Sequence, residues 1–291
     1  MMNTYQIFTD ATADLTAELM IGLPCVEIIP MQVEIGGREY IYGPGGTITS
    51  SEFYSLQRAG NYASTSQINP TVYFEKFEPY LRRGTDIVYL SFSSGLSGTF
   101  QSANLCAEEL RQQYPERKII CIDTLGASVG EGFLVREAAK MQQAGLSIDE
   151  LADWVTVNRL RVCHWFTVDT FTHLRHGGRV SASAAVLGSA LQIKPLLHVD
   201  ENGHLQPREK PRGRKNAIAA QLARMEQGWR PELGKDVLIG HCDDLDAAKV
   251  LQGRIMERFP DAEIYIADIG PVIGAHSGPG TLALFYWGNN R

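Results

Sequence analysis

Apolar positions along the chain keep two rhythms. Tyr5-Gln6-Ile7-Phe8-Thr9, Asp86-Ile87-Val88-Tyr89-Leu90-Ser91-Phe92 and Lys118-Ile119-Ile120-Cys121-Ile122-Asp123 are short apolar runs of strand type. Val26 to Val33 is another, ended by the turn residues Gly36-Gly37. Between these runs the period lengthens. Phe100, Ala103, Ala107 and Leu110 share one helix face, and a further helix is predicted from about Gly132 to Gln143. Asp10-Ala11-Thr12-Ala13-Asp14-Leu15 reads as a polar cap for a helix running through Leu19 and Met20.

Strands alternating with helices predict a parallel α/β sheet, with polar loops gathered at the carboxyl ends of its strands. The second half has another pattern. Leu196 to Val199 and Leu205 to Arg208 flank Asp200-Glu201-Asn202-Gly203-His204, a hairpin with an Asn-Gly turn. A helix follows from about Asn216 to Gln227, and Val237 to His241 opens a strand–helix–strand unit ending near Ala267. The expected fold class is α/β in two domains: an N-terminal parallel α/β domain over 1–163 and a C-terminal α+β domain over 164–291. A chain of 291 residues is long enough for both.

Composition narrows the function classes. An apolar fraction of 44% fits a folded globular protein, and a net charge of −6 argues against a general nucleic-acid binder. The five cysteines, Cys25, Cys106, Cys121, Cys163 and Cys242, are odd in number and widely spaced, the pattern of reduced thiols rather than of a disulfide framework or zinc site. The first ten residues lack a positive and an apolar targeting region, and no apolar run suffices to span a membrane. A cytoplasmic protein is expected. No metal or nucleotide motif is present: there is neither His-Glu-x-x-His nor Gly-x-x-x-x-Gly-Lys-Ser/Thr.

Several segments could carry chemistry. Ser93-Ser94-Gly95-Leu96-Ser97-Gly98-Thr99 lies between a strand and a helix, where hydroxyls and orphan helix N–H groups make an anion site. It reads equally as a cap, with Ser97 or Thr99 as the capping residue. Ser64-Thr65-Ser66-Gln67 is a second hydroxyl cluster, and such clusters before a helix are commonly caps. Gly177-Gly178-Arg179-Val180-Ser181 offers an arginine able to neutralise a buried anion, or a plain surface turn. His276 stands among Gly274, Gly278 and Gly280, so a glycine-rich loop carrying a hydrogen-bonding imidazole is expected. Arg208 to Lys215 is a basic stretch in an acidic chain, either a solvated turn or a surface for an acidic partner.

An enzyme reading competes. Gly126-Ala127-Ser128-Val129-Gly130 matches the Gly-x-Ser-x-Gly nucleophile elbow, with Ser128 as nucleophile of a serine hydrolase and His276 as its base. The match is poor. Thr124 and Leu125 separate the elbow from its strand, and His176-Gly177-Gly178, the nearest oxyanion-like motif, follows the serine instead of preceding it.

Taken in order, the segments resemble the DegV family of bacterial proteins. The likeness rests on Thr9-Asp10 to Leu15, Thr65-Ser66-Gln67, Ser93 to Thr99, Asp123-Thr124 with Ser128, and Phe166-Thr167-Val168-Asp169. It continues through Leu174 with Gly177 to Ser181, Lys194-Pro195-Leu196-Leu197, Lys210-Pro211-Arg212-Gly213, and His276 to Thr281. Two places depart from the pattern: Ala11 stands where a serine is usual, and Ile68-Asn69 separate Thr-Ser-Gln from Pro70. The resemblance implies a two-domain α/β protein that buries one long-chain fatty acid between its domains. It further implies a binding subunit for a bacterial fatty-acid kinase, with no catalysis and no cofactor of its own, which presents the carboxylate for acyl-phosphate formation feeding phospholipid synthesis. By position, Thr65, Ser93 and Ser94 are the implied carboxylate binders, and Arg179 and His276 polar residues beside it. Lys210 to Lys215 falls where the kinase would dock.

Overall fold

The structure, a computed structural model, describes residues 4–180 and 192–291; Ser181 lies outside them. Along the chain come β1 (Tyr5–Asp10), β2 (Val26–Ile29), β3 (Met31–Ile35), β4 (Arg38–Tyr42), α1 (Ser50–Arg58), β5 (Ala63–Thr65), α2 (Pro70–Arg82), β6 (Asp86–Ser91), α3 (Thr99–Gln113), β7 (Ile119–Asp123), α4 (Val129–Gln143) and α5 (Ile148–Asn158). Then follow β8 (Val162–Thr167), α6 (Thr172–His176), β9 (Leu196–Val199), β10 (Leu205–Glu209), α7 (Arg214–Gly228), β11 (Asp236–His241), α8 (Leu245–Arg258), β12 (Glu263–Asp268), α9 (Pro271–Ser277) and β13 (Leu282–Trp287).

The predicted parallel sheet is present, in the order β2-β1-β6-β7, and every residue of its central strand β6 is buried. Two expectations need correction. The apolar run Val26 to Val33 is not one strand: it breaks at Pro30, β2 joining the parallel sheet and β3 pairing antiparallel with β4 and β5 in a small sheet of its own. Nor does a helix run from Asp10 to Met20. Two single turns, Ala11–Ala13 and Glu18–Met20, stand there. The Asp10 carboxylate accepts the Thr12 N–H at 3.0 Å, and Asp14 turns the chain with φ 48, so the local side-chain bond outcompetes a helix.

The second sheet is mixed, in the order β10-β9-β8-β13-β11-β12, with only β11 and β12 parallel. The β9–β10 hairpin closes at the predicted Asn-Gly turn. The fold is therefore α/β, with a parallel sheet before residue 124 and a six-stranded sheet that begins at Val162.

Helix α4 joins the two. It starts a turn earlier than its apolar period indicates, and eleven of its fifteen residues are buried, as befits a helix covered on all sides. Val129, Phe133 and Leu134 share one core with Ile7, Val88 and Leu90 from the parallel sheet and with Leu238, Phe285 and Trp287 from the mixed one. Gly130 permits the approach, because a Cβ there would overlap His164 and Phe285. Phe133 packs edge-on against Trp287 with ring centroids 5.3 Å apart. Among the described residues no helix is long and apolar enough to cross a membrane.

Candidate functional site

A cavity of about 310 Å³ lies between the two sheets, at the lower end of the range of about 300–1,000 Å³ usual for small-molecule sites. Phe92 and Leu96 after β6, Phe166 of β8, Val199 of β9, Val272 and Ile273 of α9, and Phe285 of β13 give it an apolar body. Its polar lining includes two groups, besides Ser66, Gln67, Ser277 and Thr281.

The first group joins Thr65, Arg179, His276 and Ser97. Thr65 ends β5, opposite Val33 of β3, which sets its side chain in the cavity wall. His276 does not stand in a loop, a correction to the sequence-based expectation. Pro271 opens α9 and Gly278 closes it, so His276 falls in the last helical turn. Its Nε2 lies 2.8 Å from Thr65 Oγ1, and its Nδ1 is buried without a hydrogen-bond partner among the described residues. Gly177 packs on the ring so closely that a Cβ would overlap it. Burial first, then the charges of Arg179 and His176, lower the imidazole to about 4, so it is neutral near pH 7. In the tautomer that carries its proton on Nε2, the ring donates to Thr65. The Thr65 hydroxyl proton is then left to point into the cavity.

Arg179 donates from Nε to Leu96 O at 3.2 Å and from a terminal nitrogen to Gly177 O, which fixes a cation beside His276. Ser97 Oγ accepts the N–H of Thr99, the first residue of α3, and Ser97 also lines the cavity. The cap position of α3 is Gly98, so neither of the expected residues, Ser97 or Thr99, is its cap, and Ser97 bonds the helix start from one residue before it. Ser93 and Ser94 lie outside the wall. The Ser93 hydroxyl is buried and donates to Gly203 O at 2.9 Å, tying the loop to the β9–β10 turn, while the Ser94 N–H donates to Asp123 at 3.2 Å.

Of the two departures from the family pattern, Ile68-Asn69 has a structural role. Ile68 is buried in the core, and Asn69 caps α2 by accepting the Thr71 N–H at 3.0 Å.

The second polar group is Thr12, Ser128 and His164. Ser128 has φ 57, the strained backbone of an elbow, but its hydroxyl donates to Asp14 Oδ2 at 2.7 Å. His276 is engaged with Thr65 instead, so Ser128 and His276 do not form the pair a serine hydrolase needs. His176 stacks on Tyr62, with centroids 4.4 Å apart. Thr12 enters the wall from the single turn Ala11–Ala13 after β1, and His164 by its register on β8 opposite Phe285; sequence reading does not single out either as a wall residue. Among the described residues no three His, Cys, Asp or Glu side chains are grouped to hold a metal ion. In the basic stretch, Lys210, Arg212 and Lys215 are exposed, whereas Arg214 is half-buried and paired with Asp244.

Known proteins resemble this chain over nearly its whole length. A family model described as "Uncharacterised protein, DegV family" matches residues 4–289. A DegV domain-containing protein of Clostridium perfringens is 40% identical over 290 residues, covering 100% of this chain and 99% of its own. Among solved structures, one described as fatty acid binding of a DegV family protein from Thermus thermophilus superposes with a TM-score of 0.85 at 28% identity, covering 98% and 99% of the two chains. The Streptococcus pneumoniae fatty acid kinase B3 protein loaded with linoleic acid gives 0.87 at 21% identity, covering 98% and 100%, a likeness of fold.

Proposed function

The chain belongs to the DegV family, and on that premise we propose that it binds one long-chain fatty acid in the cavity between its sheets. The observation that carries the reading is an apolar cavity whose polar group combines a fixed cation, Arg179, with a hydroxyl donor, Thr65, ordered by neutral His276. Burying about fourteen methylenes is worth roughly 11 kcal/mol before the entropy of association is subtracted. An unpaired carboxylate would oppose this by several kcal/mol, and donors at one end of the cavity remove that opposition. In this reading Thr65, Arg179 and His276 touch the carboxylate. Ser93 and Ser94 serve it by holding the loop that carries Leu96, Ser97 and Gly98.

The domain boundary expected at 163/164 would cut β8 (Val162–Thr167), so it is taken just before Val162, with the ligand between the domains. The chain supplies binding and no catalysis of its own. It presents the carboxylate to a cytoplasmic fatty-acid kinase that forms the acyl phosphate, and the exposed cations Lys210, Arg212 and Lys215 are the docking surface for that partner.

Native against denaturing mass spectrometry of the purified chain tests the reading. A copurifying mass of a C14 to C18 acid is expected, and Thr65→Ala should lower its occupancy about tenfold through the lost hydrogen bond. Equal occupancy in wild type and variant rejects the head-group assignment. Covalent labelling of Ser128 by a fluorophosphonate would speak for a hydrolase instead.

A further inference from the structure

Two non-glycine residues near the cavity, Asp14 (φ 48) and Ser128 (φ 57), have left-handed backbones, and their side chains bond to each other. Such conformations persist where the surroundings enforce them, and they concentrate at sites with a task. The other oxygen of Asp14 accepts the Gly270 N–H at 2.9 Å and the Tyr42 hydroxyl at 3.3 Å. Gly270 is the residue on which α9 begins. From there to His276 is six residues, about 9 Å of helix, with Val272 and Ile273 of the cavity wall between them. One carboxylate thus ties together the turn after β1, the start of α4 and the start of α9.

We propose that Asp14 is a positioning residue for the head-group site: it holds the start of α9, and with it the imidazole that orders Thr65, and protonation of Asp14 loosens that hold. The inference rests on the fatty-acid reading above. A second cavity of about 350 Å³ also borders Asp14, with Ala11, Leu15, Tyr42 and Ile48 in its wall. Asp14 therefore belongs to one cavity directly and to the other through Ser128.

The groups facing Asp14 are Tyr42 from β4, Tyr54 from α1, Ser128 and Glu131 from α4, Cys242 after β11 and Asp268 of β12. All six are carboxyls, hydroxyls or, in Cys242, a thiol, and none is a cation. Burial accordingly pushes the Asp14 carboxyl up to about 7, against the lowering effect of its bonds from Ser128, Gly270 and Tyr42. Ionised, it accepts from all three donors, and charge-assisted bonds are the stronger kind. Protonated, it donates its own O–H, and Ser128 Oγ at 2.7 Å is the nearer of its two bonded hydroxyl oxygens, with Tyr42 Oη at 3.3 Å. The Ser128 proton is then turned away, and the bond to Gly270 becomes a neutral one.

Dissociation of cis-parinaric acid from the full chain, followed by fluorescence from pH 6 to pH 8.5, tests this. The wild-type off-rate should fall roughly threefold to tenfold as pH rises, with its midpoint near neutrality, as the weaker neutral bonds give way to charged ones. Asp14→Asn, an isostere that cannot ionise, should dissociate at the wild-type acid-side rate throughout. Ser128→Gly tolerates the positive φ and removes one donor from the carboxylate, so its midpoint should move to higher pH. A step that survives in Asp14→Asn, or an unmoved midpoint in Ser128→Gly, overturns the proposal while leaving the fatty-acid reading intact. A wild type that takes up no probe at any pH rejects that reading, and the inference with it.

Discussion

The two ends of α4 are both buried and both polar, yet they are neutralised by different means. In the second half of the helix Arg136 and Lys140 meet Glu137 and Asp236: Arg136 lies 2.9 Å from Asp236, and Lys140 lies 2.7 Å from Asp236 and 2.6 Å from Glu137. Two cations meet two anions, Glu137 on the same helix and Asp236 across the contact with β11. Burial alone would raise the Asp236 carboxyl, but Lys140 and Arg136 outweigh it and hold it below its ordinary value. At the start of the helix, Glu131 and the β1-end residues Asp10 and Asp14 bury three carboxyls among hydroxyl and amide donors.

Proton counting shows how that second end is neutralised. Thr12 Oγ1 is within hydrogen-bond reach of Asp10 and of Glu131 Oε2, and Thr9 Oγ1 of Leu90 O and Glu131 Oε1. One hydroxyl proton cannot serve two acceptors, so Glu131 keeps a proton of its own. Burial, then the charge of Asp10, pushes it well above the usual carboxylate range, in the same direction. The end that joins the sheets is balanced by ion pairs, and the end that borders the cavity by protons, which can be exchanged.

The largest effect should come from breaking the paired end. Asp236→Ala leaves Arg136 buried without its main partner and should lose about 3–5 kcal/mol in urea unfolding, with the dependence on urea unchanged. A loss below about 1 kcal/mol would erase the distinction between the two ends.

A smaller effect separates them by the sign of their pH response. Asp236 is depressed, so its stabilising share is complete above its unfolded value of 3.8 and disappears as pH falls through the lower folded value. Asp14 is raised from 3.8 to about 7, so the folded chain keeps a proton that the unfolded chain releases. Stability on that account declines as pH climbs across this window and then levels off, by up to about 4 kcal/mol in all. Urea midpoints measured from pH 4.5 to pH 8 should show this decline in the wild type and not in Asp14→Asn. Parallel curves for the two would refute it.

The smallest change is expected for Glu131→Gln. Exchanging a neutral acid for a neutral amide of the same shape should alter stability by less than about 1 kcal/mol, read from the same unfolding curves. A loss of more than about 2 kcal/mol would show that Glu131 is an anion after all.

The sequence discloses elements whose physics is local. β1, β6 and β7 are legible because a strand covered on both faces reads as one apolar run. The β9–β10 hairpin is legible because Asn-Gly suits its turn. Long-range contacts decide the rest. Pro30 looks like an interruption within one strand, and only pairing shows that Val26–Ile29 and Met31–Ile35 belong to different sheets. The helix around His276 had its signals in Pro271 and Gly278, but the neighbouring glycines mask them. Thr65, Arg179 and His276 can be picked out singly as polar residues beside glycines. Their bonding cannot, because Thr65 and His276 are 211 residues apart in sequence. Likewise the hydroxyl of Ser93 looks like an anion donor until Gly203, 110 residues later, takes it.

The place of β13 has a consequence for biosynthesis. It is the thirteenth strand in order, yet it lies between β8 and β11, with antiparallel pairing on both sides. A nascent chain that has emerged only as far as Gly280 holds two separate ribbons with open inner edges, the kind of edge that recruits foreign strands. Ala283 and Phe285, which also line the cavity, arrive with β13. The cavity between the sheets is therefore closed by the same strand that joins the two ribbons into one sheet.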